Sequence, residues 1–296
     1  MGKIFKRSNV IVYSEKAFKV RMSKNNKIGF MQGRLSPVIK KRIQIFPDKN
    51  WKNEFKIASK IGFSLMEWTI DTETLKNNPL FYKGKLKEIL SLKKKYNFRI
   101  ESLTLDYLME NPIWKKYEKK IFLNFKKIIE NSGKIGIKNL IVPLVDNGSI
   151  KSNKELKNLY KICKSIEKLL IKNKQRVLFE IDLSPNKVKN FISKFNKKLF
   201  GINYDLGNSA SLNFNVSEEF KFYSNYIFNI HIKDRKLFGN TVELGKGNVN
   251  FKKFFSELNK TKYKGNFILQ TARSKSNNHA KDLKRYKSFL EKGINI

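Results

Sequence analysis

From Lys27 to the C-terminus the chain alternates strand-like and helix-like runs, and this alternation leaves few folds open. The strand-like runs are Lys27–Gln32, Phe63–Trp68, Phe98–Thr104, Asn139–Leu144, Val177–Asp182, Leu199–Asp205, Phe228–Ile232 and Asn266–Thr271. Helical patterns separate most of them: Trp51–Ile61, Lys85–Tyr96, Lys115–Asn131, Asn153–Lys172, a stretch opened by Ser184-Pro185 and running to Phe195, Val249–Leu258 and His279–Leu290. Strands alternating with helices favour a parallel sheet, and eight such units in one chain predict an α/β fold, the (β/α)₈ TIM barrel. An open doubly wound sheet would call for a G-x-G-x-x-G turn after the first strand, and Gly33-Arg34 does not supply one. No linker divides residues 27–296, so one domain is expected there. Residues 1–26 read as a basic N-terminal extension, with Met22 placed as a natural start just before the first strand.

The charge balance needs care. The chain has 63 Lys+Arg against 25 Asp+Glu, a net charge of +38, which taken alone suggests nucleic acid or another acidic partner. The lysines are spread over nearly every segment, however, so a solvated basic surface is the expectation and nucleic acid is not. No apolar run of membrane-spanning length occurs, and the basic N-terminus lacks a signal-peptide core. Cys163 is the single cysteine and forms no internal disulfide; a reducing cytoplasm is the simplest setting.

In the segment Tyr226–Arg235, YIFNIHIKDR, Phe228, Ile230 and Ile232 alternate with Asn229, His231 and Lys233. A period of two gives a strand with one apolar and one polar face. Its neighbours carry polar groups at the same end. The fifth strand ends with Glu180, followed on the same face by Asp182; the sixth ends with Asp205, and the eighth delivers Gln270. Parallel, adjacent strands would bring Glu180, Asp205, His231 and Gln270 to one mouth of the barrel. Two carboxylates, an imidazole and an amide oxygen suit a divalent cation such as Mn, Mg, Zn or Co, which would polarise the oxygens of a sugar. Lys233 points the same way as His231, and as an acid/base it would need a lowered pKa. The bland reading of the segment is a half-buried strand with a solvated polar face.

These residues resemble a known pattern. LFEID around Glu180, YDLGN around Asp205, IHIKD around His231 and FILQT at the eighth strand are similar to the metal-binding positions of the xylose isomerase-like TIM-barrel superfamily, in its sugar-phosphate isomerase/epimerase branch. IGFMQGRLSP, FPDKNWKNEFKIASKIGFSLMEW and ELGKGNVNF match as well, so the resemblance spans roughly Lys27 to Leu290. It implies a divalent-metal site and a small sugar or sugar-phosphate substrate, with self-association common in the branch. It further implies that Glu67 faces the sugar. On residue chemistry, Gln32 is a candidate for a substrate hydroxyl and Arg34 and Arg273, with their planar forks, for a phosphate, the alternative for Gln32 and Arg34 being a capping role in the loop; Asn208 either bonds the substrate or shapes the turn.

Gln270 departs from the pattern, because the family has glutamate there. An amide can ligate through oxygen but cannot accept a proton, and a missing general base costs about 10²–10⁴-fold in rate. Three readings stand: Glu180 working with Lys233 or Glu67 as the other acid/base, a one-base isomerisation, or a non-catalytic carbohydrate-binding barrel. A nuclease of the endonuclease IV type shares the fold and fits the charge. Its zinc cluster uses several histidines, whereas this chain has only His231 and His279. Gly245 and Gly247 read as a tight turn and not as a phosphate cradle.

Overall fold

The computed structural model describes residues 27–274 and 276–294. The predicted basic extension lies outside them. Eight parallel strands close a barrel: β1 (Ile28–Met31), β2 (Leu65–Ile70), β3 (Arg99–Leu105), β4 (Asn139–Leu144), β5 (Arg176–Ile181), β6 (Phe200–Asp205), β7 (Ile227–Ile232) and, after a two-stranded ribbon of β8 (Asp234–Arg235) and β9 (Thr241–Val242), β10 (Asn266–Leu269). Each barrel strand pairs with its sequence neighbour in the barrel, and β10 closes the ring on β1. This is the expected TIM barrel.

Burial of both faces explains the apolar strand runs. The outer face packs Phe30, Met66, Trp68, Phe179, Ile230 and Phe267 against the helices in one continuous core. Met31, Leu65 and Ile268 form a separate small apolar cluster. Gly29 makes room for it, since a Cβ at that position would lie 2.8 Å from Leu65. The buried residues of alternating register, Glu67, Ser102, Thr104, Asn203, Asn229 and His231, are polar. The lumen is therefore a buried polar layer beside a short apolar one.

The helices that match the sequence pattern are α1 (Trp51–Lys60), α2 (Leu86–Lys95), α4 (Lys119–Lys134), α5 (Asn153–Asn173), α6 (Pro185–Ile192), α9 (Phe251–Asn259) and α10 (His279–Ile294). In α5, Ser152 caps the N-terminus by accepting the Glu155 N–H, while Leu159, Ile162, Cys163, Ile166 and Leu170 are buried at helical spacing. Burial raises the Cys163 thiol pKa, leaving it an unreactive core group. Two ends move: α4 starts four residues later than expected, because Lys115 and Lys116 turn back onto the Pro112 carbonyl, and α6 stops at Ile192.

Three short helices escape the pattern: α3 (Asp106–Glu110), α7 (Leu206–Ser211) and α8 (Val216–Tyr223). The cause in α8 is a buried carboxylate on its inner stripe. Glu219 accepts hydrogen bonds from Tyr204 Oη, Ser209 Oγ and Tyr223 Oη at 2.5–2.7 Å, so a charged residue stands where periodicity looks for an apolar one. No helix among the described residues is long and apolar enough to cross a membrane.

Candidate functional site

The C-terminal ends of three consecutive strands meet at Glu180 (β5), Asp205 (β6) and His231 (β7). Asp205 and His231 are register partners across β6 and β7. All three residues are buried, and each offers a ligand atom within 4.8 Å of the others. His231 Nδ1 lies 3.1 Å from Glu180 Oε2 and 3.8 Å from Asp205 Oδ2.

Neighbouring side chains fix these groups. Asn203, two residues before Asp205 on the same face of β6, donates to Glu180 Oε2 at 2.9 Å and lies 3.0 Å from His231 Nδ1. Asn208 donates to the other Glu180 oxygen at 2.6 Å. Asp205 Oδ1 accepts the Asn208 N–H at 2.8 Å as the cap of α7, leaving Oδ2 free to face the cluster. A period-two reading of β6 and β7 could have nominated Asn203 and Asn229 beside Asp205 and His231.

Glu67 closes the cluster from behind. Its Oε1 sits 2.8 Å from His231 Nε2 and 2.6 Å from Thr104 Oγ1, and its Oε2 accepts from Asn229 at 3.0 Å. Glu67 is 0% exposed and its carboxylate stands behind the imidazole. Burial alone would favour a neutral ring, but Glu67 and Glu180 outweigh it and push the His231 pKa up to about 10. Burial would likewise raise the Glu67 carboxyl; the imidazolium and its hydrogen bonds overcome this and hold it below its ordinary value.

Gln32 and the two arginines bond the protein's own backbone. The Gln32 side chain accepts the Thr69 N–H at 3.2 Å and is fully buried. Arg34, 4% exposed, donates to the Thr271 and Ile43 carbonyls at 2.8 and 2.9 Å, and burial lowers its pKa to about 9. Arg273 donates to the carbonyls of Gly33 and Ser36. Buried Glu54 accepts the Gly33 and Leu35 N–H groups. These contacts tie the loop after β1 to the loop after β10. The glycine turn is likewise internal: Asp234 receives the N–H groups of Gly245, Gly247 and Val249 at 2.9–3.1 Å, filling the nest with a carboxylate of the chain itself.

Lys233 and Gln270 stand on the open side. Lys233 Nζ bonds Asp205 Oδ2 at 3.3 Å, Asn208 Oδ1 at 3.2 Å and Gln270 Oε1 at 3.4 Å. Arg235 Nη1 also reaches Asn208 Oδ1, at 2.9 Å. The Gln270 amide donates to Gln44 Oε1 at 2.9 Å, and Gln44 donates to Asp106 Oδ2 at 2.6 Å. This relay turns the Gln270 oxygen toward Lys233. Asp106 was not legible as a site residue. Burial, reinforced by nearby Glu110 and Glu180, raises its pKa to about 7 against the single Gln44 hydrogen bond.

The donor set fits a divalent cation. Two anionic carboxylates and an imidazole converge, and the second ring nitrogen is held by a carboxylate, the arrangement that orients metal-ligating histidines. Binding an ion through Nδ1 requires that nitrogen to give up its proton.

Comparison with known proteins agrees with this fold. The family model of the xylose isomerase-like TIM barrel matches residues 55–292. Among solved structures, a xylose isomerase domain protein from Planctomyces limnophilus superposes with a TM-score of 0.69 at 14% identity, covering 92% of this chain and 99% of the other. D-psicose 3-epimerase with D-tagatose, from Clostridium cellulolyticum, gives 0.68 at 11% identity, covering 90% and 98%. A xylose isomerase-like TIM barrel protein from Mycobacterium smegmatis, in complex with magnesium, gives 0.64 at 14% identity, covering 90% and 96%. At such identities these likenesses speak for the fold. No match was found among curated proteins.

Proposed function

The chain belongs to the xylose isomerase-like TIM barrel family, and we propose that it acts as a metal-dependent isomerase or epimerase of a small sugar or sugar phosphate. The observation that carries this reading is the convergence of Glu180, Asp205 and His231, with Glu67 locked behind the imidazole. Glu180, Asp205 and His231 would hold the ion, with Gln270 as a fourth, neutral donor. When bound, a divalent ion supplies a Lewis acid for the carbonyl and hydroxyl oxygens of the substrate.

The chain's own groups would do the rest. Glu180 is the base for the carbon-bound proton next to the carbonyl; the amides of Asn203 and Asn208 orient it. Lys233 places positive charge, and an N–H donor, at the oxygen that becomes electron-rich as that proton leaves. Asn208 is the expected substrate-binding group we retain, and Arg235 joins it, since both reach the Lys233 side of the cluster. Asp106 accepts from Gln44 and Gln44 accepts from Gln270, so this relay would orient the Gln270 oxygen toward the substrate side of Lys233. The lone buried thiol is in keeping with a cytoplasmic setting.

One observation favours a second reading, a metal-free sugar-binding barrel. The Lys233 ammonium already bonds Asp205 and Gln270 and supplies a cation of its own. Metal analysis of chelator-free protein beside Asp205→Ala separates the two. About one divalent ion per chain, absent from the variant and accompanied by solvent-deuterium uptake at the α-carbon of a ketose, is the result expected of the enzyme. Protein that takes up no ion on titration overturns the metal-dependent reading.

A further inference from the structure

A cavity lies at the end of the barrel away from Glu180, Asp205 and His231. It measures about 580 Å³, within the range of small-molecule sites. Arg99 opens β3, Lys138 immediately precedes β4, and Arg176 opens β5, so three adjacent strands each bring a cation to the N-terminal mouth. Lys262 and Lys264, from the loop before β10, complete the ring. Five cations face one carboxylate, Glu101.

That carboxylate is already engaged. Glu101 Oε1 pairs with Arg99 Nη1 at 3.1 Å, and its Oε2 accepts from Asn266 at 2.7 Å. The remaining Arg99 nitrogens, Nε and Nη2, are shielded from solvent and have no hydrogen-bond partner among the described residues. Desolvated guanidinium N–H groups without an acceptor are costly, and an anion would satisfy them. Arg176 lies over the Phe228 ring, 4.4 Å from its centroid, which fixes the guanidinium plane at the cavity wall.

General lysine richness does not account for this arrangement. The whole chain has nine arginines among its 63 basic residues, and two of them meet at this mouth. Arginine presents a planar fork suited to phosphate oxygens, whereas lysine is a solvated point charge. A concave chamber at strand ends favours a compact polyanion over a nucleic-acid strand, which needs an extended groove. We propose that the N-terminal mouth of the barrel is a second ligand site, for a small molecule carrying at least two phosphate groups, bound by Arg99, Arg176 and Lys138 and rimmed by Lys262 and Lys264. The site is independent of the reading given to the opposite mouth.

Isothermal titration with inorganic pyrophosphate at physiological salt tests it. One saturable site per chain is expected, weakened at least tenfold in Arg99→Gln and in Arg176→Gln, and unchanged in Asp205→Ala. Should either arginine variant lose its cooperative melt, the doubly substituted K262A/K264A protein, altered only at exposed rim positions, should still weaken binding several-fold. Lys154→Ala with Lys161→Ala, both exposed on α5 and outside the cavity, serves as the control and should change nothing. Absence of saturable binding overturns the proposal. So does equal weakening by the control pair, or displacement of pyrophosphate by a tighter-binding single-stranded RNA.

Discussion

Glu67 Oε1 and His231 Nε2 lie 2.8 Å apart, both fully buried, and this contact aims the opposite ring nitrogen at Glu180 and Asp205. Glutamine in place of Glu67 keeps the shape but removes the charge that orients the imidazole. Loss of such an outer partner commonly costs 10–100-fold in metal affinity. Manganese titration of Glu67→Gln should show a weakening of that order. Unchanged affinity would detach His231 from any ion site.

Gln270 is the position where this chain gives up a carboxylate. Gln270→Glu adds a negative charge beside Lys233 and the cluster, so divalent-ion affinity should rise at least tenfold. Deuterium uptake at the substrate α-carbon, followed by NMR, shows the consequence for chemistry. A large gain marks a site disabled by glutamine; a loss marks glutamine as part of a working one.

Asp106 makes stability depend on pH. Its folded pKa of about 7 exceeds the ordinary 3.8, so the fold favours the protonated carboxyl. This contribution is fully present below pH 3.8 and is lost as the pH rises through 7, at a cost of up to about 4 kcal/mol. Asp106→Asn cannot ionise. Its denaturant midpoint should overtake that of the unaltered protein between pH 5 and 8, and parallel profiles would contradict the assignment.

Gly247 is held by the carboxylate it wraps. A Cβ there would lie 2.0 Å from Asp234 Oδ1 and 2.6 Å from the Arg235 carbonyl. Gly247→Ala should therefore disrupt the turn that satisfies Asp234, at about 2–3 kcal/mol in thermal or denaturant unfolding. Gly84→Ala, with nothing within 4 Å of the added methyl, is the matched substitution that should leave stability nearly unchanged.

The sequence alone determined the barrel and the identity of its convergent groups. Strand and helix periods are local properties, and a strand fully buried on both faces writes a continuous apolar run into the chain. Asp205 and His231 were legible because each ends such a run on the polar register. Glu219 hid α8 for the converse reason: besides Tyr223 of its own helix, its partners Tyr204 and Ser209 come from β6 and α7, and together they make a buried carboxylate tolerable.

Tertiary structure decided what each polar group does. Glu67 and His231 are 164 residues apart in sequence, and nothing local shows that one stands behind the other. Arg34 offered a phosphate-binding fork in sequence; the folded chain closes that fork on the carbonyls of Ile43 and Thr271. Gln44 and Asp106 lack any motif and acquire a role only because the loops after β1 and β3 meet over Gln270. Side-chain chemistry is written residue by residue, but hydrogen-bond partners and desolvation arise only when distant segments pack together.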